Sequence, residues 1–556
     1  MGKEDADKIL SFLFKFRKGT YLMKKITKVI AAATALSAAL GVCAYAAEDT
    51  IEDKVIAGYQ AWFNTEGDGS PRNEWVHWGR PEVGHLTFDA YPDVRDYSVE
   101  DLKETYFAEL GNGEKSKLFS SYRAGVIDKH FEMMHDYGID GVAVQRFGSV
   151  TINGVEERFK NSVDILKNVK ASAEKHNELF YVMYDISGLS EENLVEDLKA
   201  DWQQVILNDL DITSSPSYAK DNGRPVVCLW GLGIREGTGE QYSELIDWFH
   251  DKGCYVIGGV SKSWRDQIAK DEAMEKAFCK LDMLSPWSVG SAKTDSDVDS
   301  DASILAADKA YLDEKGIAYQ PVMFPGFSWS NWKDNAVRNQ IPRRAGDFMW
   351  RQAYNIAKQD IHCGYIAMFD EYDEGTAILK LAEDSSMIPK DQYFITASAD
   401  GSYTSSDLYM RLAGYIPKVL RGEEEITEEM PLLLSEGPVY FRSGFEKYFD
   451  AQPVDGNGEL VKDELTYNGR YALKLNRVGG GGEMLTKLSE LDFSAEKINI
   501  GISAYLAGGS AELSVGLETA DGDVLYSDLS FANGKWTYNT LTDISVAGKN
   551  ITGLIL

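Results

Sequence analysis

The chain is poor in cysteine, in histidine and in positive charge. It has 5 Cys and 7 His in 556 residues, and 57 Lys and Arg stand against 88 Asp and Glu, a formal net charge of −31. That charge argues against nucleic acid or an anionic membrane surface as a partner, since both call for clustered cations. Cys228, Cys254, Cys279 and Cys363 lie in or beside apolar runs with no CxxC spacing, which reads as buried free thiols rather than a metal site or a disulfide framework. No HExxH, no zinc-ligand spacing and no Ser-His-Asp order occurs. A nucleotide-binding turn is missing too. None follows the first apolar run, and the GGGGE at Gly479–Glu483 has no Lys-Ser or Lys-Thr behind it. No metal or cofactor is expected.

What is present begins with an address. Met23-Lys24-Lys25 and Lys28 form a basic region ahead of the Ala-rich apolar run Val29–Val42, and Ala44-Tyr45-Ala46 places small residues at a signal-peptidase site. Cleavage is expected between Ala46 and Ala47, with residues 1–46 an upstream extension plus signal peptide starting at Met23. The product is then secreted or held at the cell surface with no membrane span. An uncleaved anchor is the alternative, although the run is short for a span of ~20 apolar residues.

From Lys54 onward short β-rich apolar runs alternate with longer amphipathic ones, the pattern of parallel strands joined by helical crossovers. Candidate strands are Val55–Phe63, Gly141–Phe147, Phe180–Ser187, Pro225–Gly231, Tyr255–Val260, Met283–Val289, Tyr319–Phe324 and Tyr365–Phe369. Helices are expected at Arg123–Tyr137, Val155–His176, Glu191–Asp209, Glu240–Lys252, Ala302–Lys315 and Arg344–Lys358, several followed by Gly. The fold class predicted is α/β, a (β/α)8 TIM barrel over residues 47–390, with an open doubly wound sheet as runner-up. Residues 391–432 read as a helical and acidic connector, with a helix-like stretch Ser406–Arg421 and the run EEEITEE at Glu423–Glu429. Residues 433–556 turn to short alternating runs with Asp455-Gly456, Asn468-Gly469 and Asp521-Gly522 turns, a C-terminal β-sandwich that is a candidate carbohydrate-binding module. Its Tyr448, Tyr467, Trp536 and Tyr538 suit core packing first and glycan second.

The chemistry is expected where strands of such a barrel end. Those ends carry Tyr59, Gln60 and Trp62, then Gln145 and Arg146, then Tyr184 and Asp185, then Trp230, Trp287 and Trp329. For any single Trp, core packing is the competing reading; their recurrence at successive strand ends points to stacking on sugar rings. The last strand runs into a knot of acids, Asp370, Glu371, Asp373 and Glu374, with Tyr372 between them. Taken alone it reads equally well as a solvated turn. Four carboxyls in so short a stretch cannot all ionise in a low-dielectric site, and glycoside cleavage needs such a divided pair, one protonated and one ionised. Glu371 and Glu374 are the candidate catalytic pair, with Asp370, Tyr372 and Asp373 as neighbours that hold substrate. The long segment Asn64–Tyr122 is expected to include an active-site loop. Its His77 and His85 have no acid at metal-ligand spacing and read as structural, or at most as substrate contacts.

EYDEGT at Glu371–Thr376 resembles the E-W-H-E-G-T signature of glycoside hydrolase family 99, the endo-α-mannosidases. GYQAWFN at Gly58–Asn64 and FPGFSWSNW at Phe324–Trp332, with FDEYDEGTAI, are similar to a bacterial branch of hydrolases related to families 99 and 71. The resemblance covers Val55 to about Ile378. It implies a retaining enzyme acting on α-linked mannosides or glucosides of an oligo- or polysaccharide, without a metal. It also implies that Glu371 is the base on the sugar's own 2-hydroxyl, giving a 1,2-anhydro intermediate, and Glu374 the general acid and base. Tyr372 and Asp373 depart from the signature, standing where the family has Trp and His. A non-catalytic glycan-binding barrel and an inverting α-glucanase of family 71 type are the alternatives.

Overall fold

The computed structural model describes residues 50–435, 441, 458–462, 471–475, 486–507, 513–531, 534 and 536–556. The expected signal peptide and cleavage site, the Asp455-Gly456 and Asn468-Gly469 turns, Tyr448, Tyr467, the GGGGE run and the side chains of Trp536 and Tyr538 lie outside them. Ile51–Leu556 form one compact unit.

Nine of the described strands form one parallel sheet: β1 Val55–Tyr59, β2 Gly141–Phe147, β3 Leu179–Asp185, β4 Arg224–Leu232, β5 Tyr255–Ser261, β6 Met283–Trp287, β7 Ala318–Tyr319, β8 Val322–Met323 and β9 Gly364–Ile366. Their order is β7-β6-β5-β4-β3-β2-β1-β9-β8. β1 is buried at every position, as strands covered on both faces are, which is why these strands are continuous apolar runs in the sequence. The strand expected at Tyr319–Phe324 is split. Pro321 has no N–H for a ladder; Gln320 N–H donates to Leu284 on one side (3.0 Å), and the Pro321 carbonyl accepts from Tyr365 N–H on the other (2.9 Å). β7 therefore pairs with β6 while β8 pairs with β9. The two edges of the sheet are consecutive in the chain, so the sheet curls back toward its own start, as in TIM-barrel-like α/β folds.

The crossovers follow the expected amphipathic segments: Ala124–Tyr137, Glu156–His176, Leu194–Asp201 continued by a wider turn to Asp209, Gly239–Asp251, Asp295–Lys315 and Asp347–Ala357. The fifth of these starts earlier than its apolar pattern predicts because Thr294 and Asp297 make a reciprocal capping box. The segment read as a connector is part of this core. Helix Leu408–Leu420 buries ten of its thirteen residues, and a Cβ at Gly414 would collide with the carbonyl of Tyr137 at the end of helix Ala124–Tyr137. Phe394 and Ala397 join the same hydrophobic cluster. A hydrophobic face on the helix, rather than linker composition, decides its place.

Beyond it the described strands are antiparallel. Lys487–Ser494, Asn550–Ile555, Leu513–Thr519 and Val524–Leu529 make a four-stranded sheet, while Lys497–Tyr505 pairs with Trp536–Ser545. Leu488, Val515, Leu517, Leu529, Ile551 and Leu554 form their core, against which Ile498, Ile500 and Ile502 pack.

Candidate active site

After β9 the chain turns back on itself. Met368 N–H donates to the Thr376 carbonyl (3.2 Å), Ile378 N–H to the Met368 carbonyl (2.9 Å) and Leu379 N–H to the Phe369 carbonyl (2.8 Å), so that Asp370–Gly375 is the tip of a tight loop. Gly375 sits at φ +62 and a Cβ there would press on Ser328 N at 3.3 Å, which suits a glycine in the left-handed region. Four of the six carbonyls of Asp370–Gly375 are taken. Glu371 O accepts from Thr376 and Ala377 N–H, Tyr372 O from Asp89 and Ala90 N–H, and Glu374 O from Ser328 N–H. Buried Arg343 donates to Gly375 O (2.8 Å) and Ala377 O (2.7 Å). The backbone of the acid knot is thereby fixed.

The four acids have different roles. Both oxygens of Asp370 accept backbone N–H bonds, from Gln60 and Ala61, at 2.8 Å each. This carboxyl pulls the chain out of β1 four residues before its expected end and holds Ala61 at φ +49, joining the tops of β1 and β9. Burial pushes Asp370 up to about 7 against those hydrogen bonds. Glu371 is 8% exposed and accepts from the Thr376 hydroxyl (3.1 Å). Burial first, then Glu374 and Asp373, raise it well above the ordinary glutamate range. Burial and Asp373 lift Glu374 to about 7, while Lys333 and Arg235 pull it down. Glu371 and Glu374 thus feel each other's charge, and the first proton to leave the pair makes the second harder to remove. Asp373, 4% exposed, is raised by burial and Asp89.

Asp373 has an imidazole as its partner. His77 Nδ1 lies 2.7 Å from Asp373 Oδ2, and the His77 ring stacks on Trp62 at 3.8 Å and 6°. Burial, then Arg72 and Arg158, hold His77 down at about 3. With the acid raised and the imidazole lowered, the favoured form is the neutral one, Asp373 donating to Nδ1 and Nε2–H left free. Sequence spacing hid this pair, whose members are 296 positions apart; the only signal was that two of seven histidines fall in the one long loop.

Three residues expected to touch substrate are instead held in the core. Arg146 is fully buried and bidentate to Asp201 (2.6 and 2.7 Å), with Ser162 as a further acceptor. Tyr59 is buried with its hydroxyl on His130 Nδ1 (2.9 Å), and buried Tyr372 donates to the Lys380 carbonyl (3.1 Å). Asp370 is likewise occupied by backbone. The other expected residues keep unmet polar capacity or open ring surface. Gln60 Oε1, Trp62 Nε1, Trp230 Nε1 and Asp373 Oδ1 are buried without a hydrogen-bond partner, as is Gln145 Oε1. Trp230 packs edge-on to Trp287 (5.2 Å) and carries Arg235 over its ring (5.6 Å). Trp329 sits among Phe327, Trp332 and Lys333. Asp185, also buried, accepts Ser187 N–H (2.8 Å) and feels Arg235. Unsatisfied buried polar atoms are rare in native interiors. Arg235 and Lys333 were not anticipated, because their roles depend on which carboxyl they face. Among the described residues no His, Cys, Asp and Glu cluster could hold a metal ion, and no helix is long and apolar enough to cross a membrane.

No protein-family model matches the chain, and no curated protein does. Among solved structures it is similar to the family 99 endo-α-mannosidase of Bacteroides thetaiotaomicron bound to bis-tris-propane, at 15% identity and TM-score 0.49 over 67% of this chain and 99% of that one. It is also similar to a glycoside hydrolase-like protein, at 14% identity and TM-score 0.40 over 60% of this chain and 98% of that one. A third is a modular endo-β-1,4-mannanase of Cellulomonas fimi, at 12% identity and TM-score 0.32 over 76% and 88%. These are distant likenesses, and neither residues nor activity carry over from them.

Proposed function

We propose that the chain is a secreted retaining glycoside hydrolase acting on α-linked mannosides or glucosides, with a closed (β/α)8 barrel as catalytic domain and a β-sandwich behind it. The observation that carries this reading is the Glu371–Glu374 pair. Two glutamates on a clamped loop are both raised, and each lies within the other's field. Such a pair holds one proton and one charge near neutral pH, which is what cleavage of a glycosidic bond asks of its acid and its base. In keeping with the EYDEGT resemblance, Glu374, which burial and Asp373 raise to about 7 against the pull of Lys333 and Arg235, is the acid that protonates the leaving oxygen. Glu371, raised well above the glutamate range and with Thr376 on one oxygen, is the base toward the sugar 2-hydroxyl once its own proton has left.

Trp287 and Trp329 supply faces for sugar rings, Trp62 and Trp230, whose rings already carry His77 and Arg235, brace the groups around them, and Gln60, Asp185 and Asp373 supply hydroxyl contacts. A Ser-His-Asp or metal-dependent hydrolase would require constellations that this sequence does not carry. The test is proton NMR of the full chain digesting α-mannan and α-glucan. A first-formed product with the anomeric configuration of the substrate supports retention, and the inverted anomer replaces it with an inverting mechanism. Glycan binding that survives in Glu371→Gln and Glu374→Gln, with no cleavage by the native chain, would make the barrel a binding module.

A further inference from the structure

Beside the acid knot a cavity of about 310 Å³ opens between the long loop after β1 and Trp332, lined by His77, Arg80, His85, Thr87, Trp332 and Asp373. The loop that walls it is braced. Arg80 and His85 exchange backbone hydrogen bonds at 2.6 and 3.2 Å, and Thr87 donates its hydroxyl to the His77 carbonyl at 2.6 Å. A directly bridged pair projects its side chains to the same face, which sets Arg80 and His85 side by side.

We propose that this cavity is a subsite for a sugar residue carrying an anionic group, either a carboxylate or a sulfate or phosphate ester. The sugar part of the proposal rests on the glycan-hydrolase reading above; the anionic part rests on the cavity's own charge. The chain carries −31 overall, yet among the described residues Arg80 has no ion pair or side-chain hydrogen bond. The one acid in the lining, Asp373, is matched by His77 at 2.7 Å, a pair that carries no net charge in either of its proton arrangements. The cavity is therefore left with an uncompensated cation, a free His77 Nε2–H and an indole that is 44% exposed. Trp332 provides a sugar face, His77 Nε2–H donates to a hydroxyl, and Arg80 with His85 meets a planar or tetrahedral anion through a guanidinium suited to both.

Isothermal titration calorimetry of the full chain tests this with glucuronic acid, mannose 6-sulfate and mannose 6-phosphate against glucose and mannose. At least one anionic sugar is expected to bind about tenfold or more tightly than its neutral parent, with a preference that shrinks as salt screens it. Which of the three leads identifies the anion. Arg80→Ala abolishes the preference and Arg80→Lys keeps part of it. Equal affinity for charged and neutral sugars, no binding of any of the five, or a preference unchanged in Arg80→Ala with His85→Ala overturns the proposal. A Glu371→Gln, Glu374→Gln double variant separates it from the catalytic reading, because the anion preference persists there even if no glycan is ever cleaved.

Discussion

Replacing Glu374 by alanine removes the carboxyl that burial and Asp373 hold at about 7. At pH 7 about half the molecules carry that proton, against roughly one in 300 for a glutamate at its ordinary value of 4.5. A positioned general acid is worth ~10²–10⁴ in rate, most of it on leaving groups that cannot depart as anions. Glu374→Ala should therefore lose ~10²–10⁴ in kcat/KM on a natural α-linked disaccharide unit but less than about tenfold on the corresponding fluoride or 2,4-dinitrophenyl glycoside. The assay is kcat/KM for both substrate classes between pH 5 and 9. In the native chain activity on the natural substrate declines above about pH 7 as Glu374 gives up its proton; on the activated substrate the variant shows no such limb. Equal losses on both classes, or an alkaline limb that survives the substitution, would refute the acid assignment.

Other consequences are direct. Asp370→Asn replaces an oxygen that accepts a backbone N–H by a second donor and should cost about 1–3 kcal/mol in urea unfolding, with activity falling as the tops of β1 and β9 separate. Because Asp370 and Glu374 hold their protons to about 7 in the folded chain but release them near 3.8 and 4.5 when free, their contribution is complete below those ordinary values and is lost as pH rises through 7. The native chain should thus lose stability relative to Asp370→Asn between pH 5 and 8, and a difference that does not change with pH counts against the buried neutral carboxyl. Arg146→Met leaves Asp201 buried without its cation and should destabilise by about 3–5 kcal/mol, while any activity of the folded fraction is preserved; loss of binding without loss of stability would return Arg146 to the substrate. Arg343→Met frees two loop carbonyls and should reduce kcat with little change in the far-UV circular dichroism.

The elements were legible in the sequence because parallel strands buried on both faces must be apolar throughout, and crossover helices must carry an apolar stripe. The break at Pro321 was less so: a residue without N–H can still lend its carbonyl, and only the neighbours Leu284 and Tyr365 reveal that it stands between two half-strands. The acid knot could be read because four carboxyls in sequence remain four carboxyls in space. Which strand-end residues turn outward could not. Arg146 meets Asp201 fifty-five residues on, and a buried ion pair looks in sequence like any exposed arginine. The same gap hid His77, whose acid Asp373 lies 296 residues further along the chain.

The central claim, that Glu371 and Glu374 cleave a glycosidic bond, is tested most directly by measuring new reducing ends released by the full chain from a panel of α-mannans and α-glucans, with Glu371→Gln and Glu374→Gln alongside. The account predicts release by the native chain from at least one polymer and a loss on the order of 10³-fold or more in Glu371→Gln. Release that continues undiminished in both variants would contradict it.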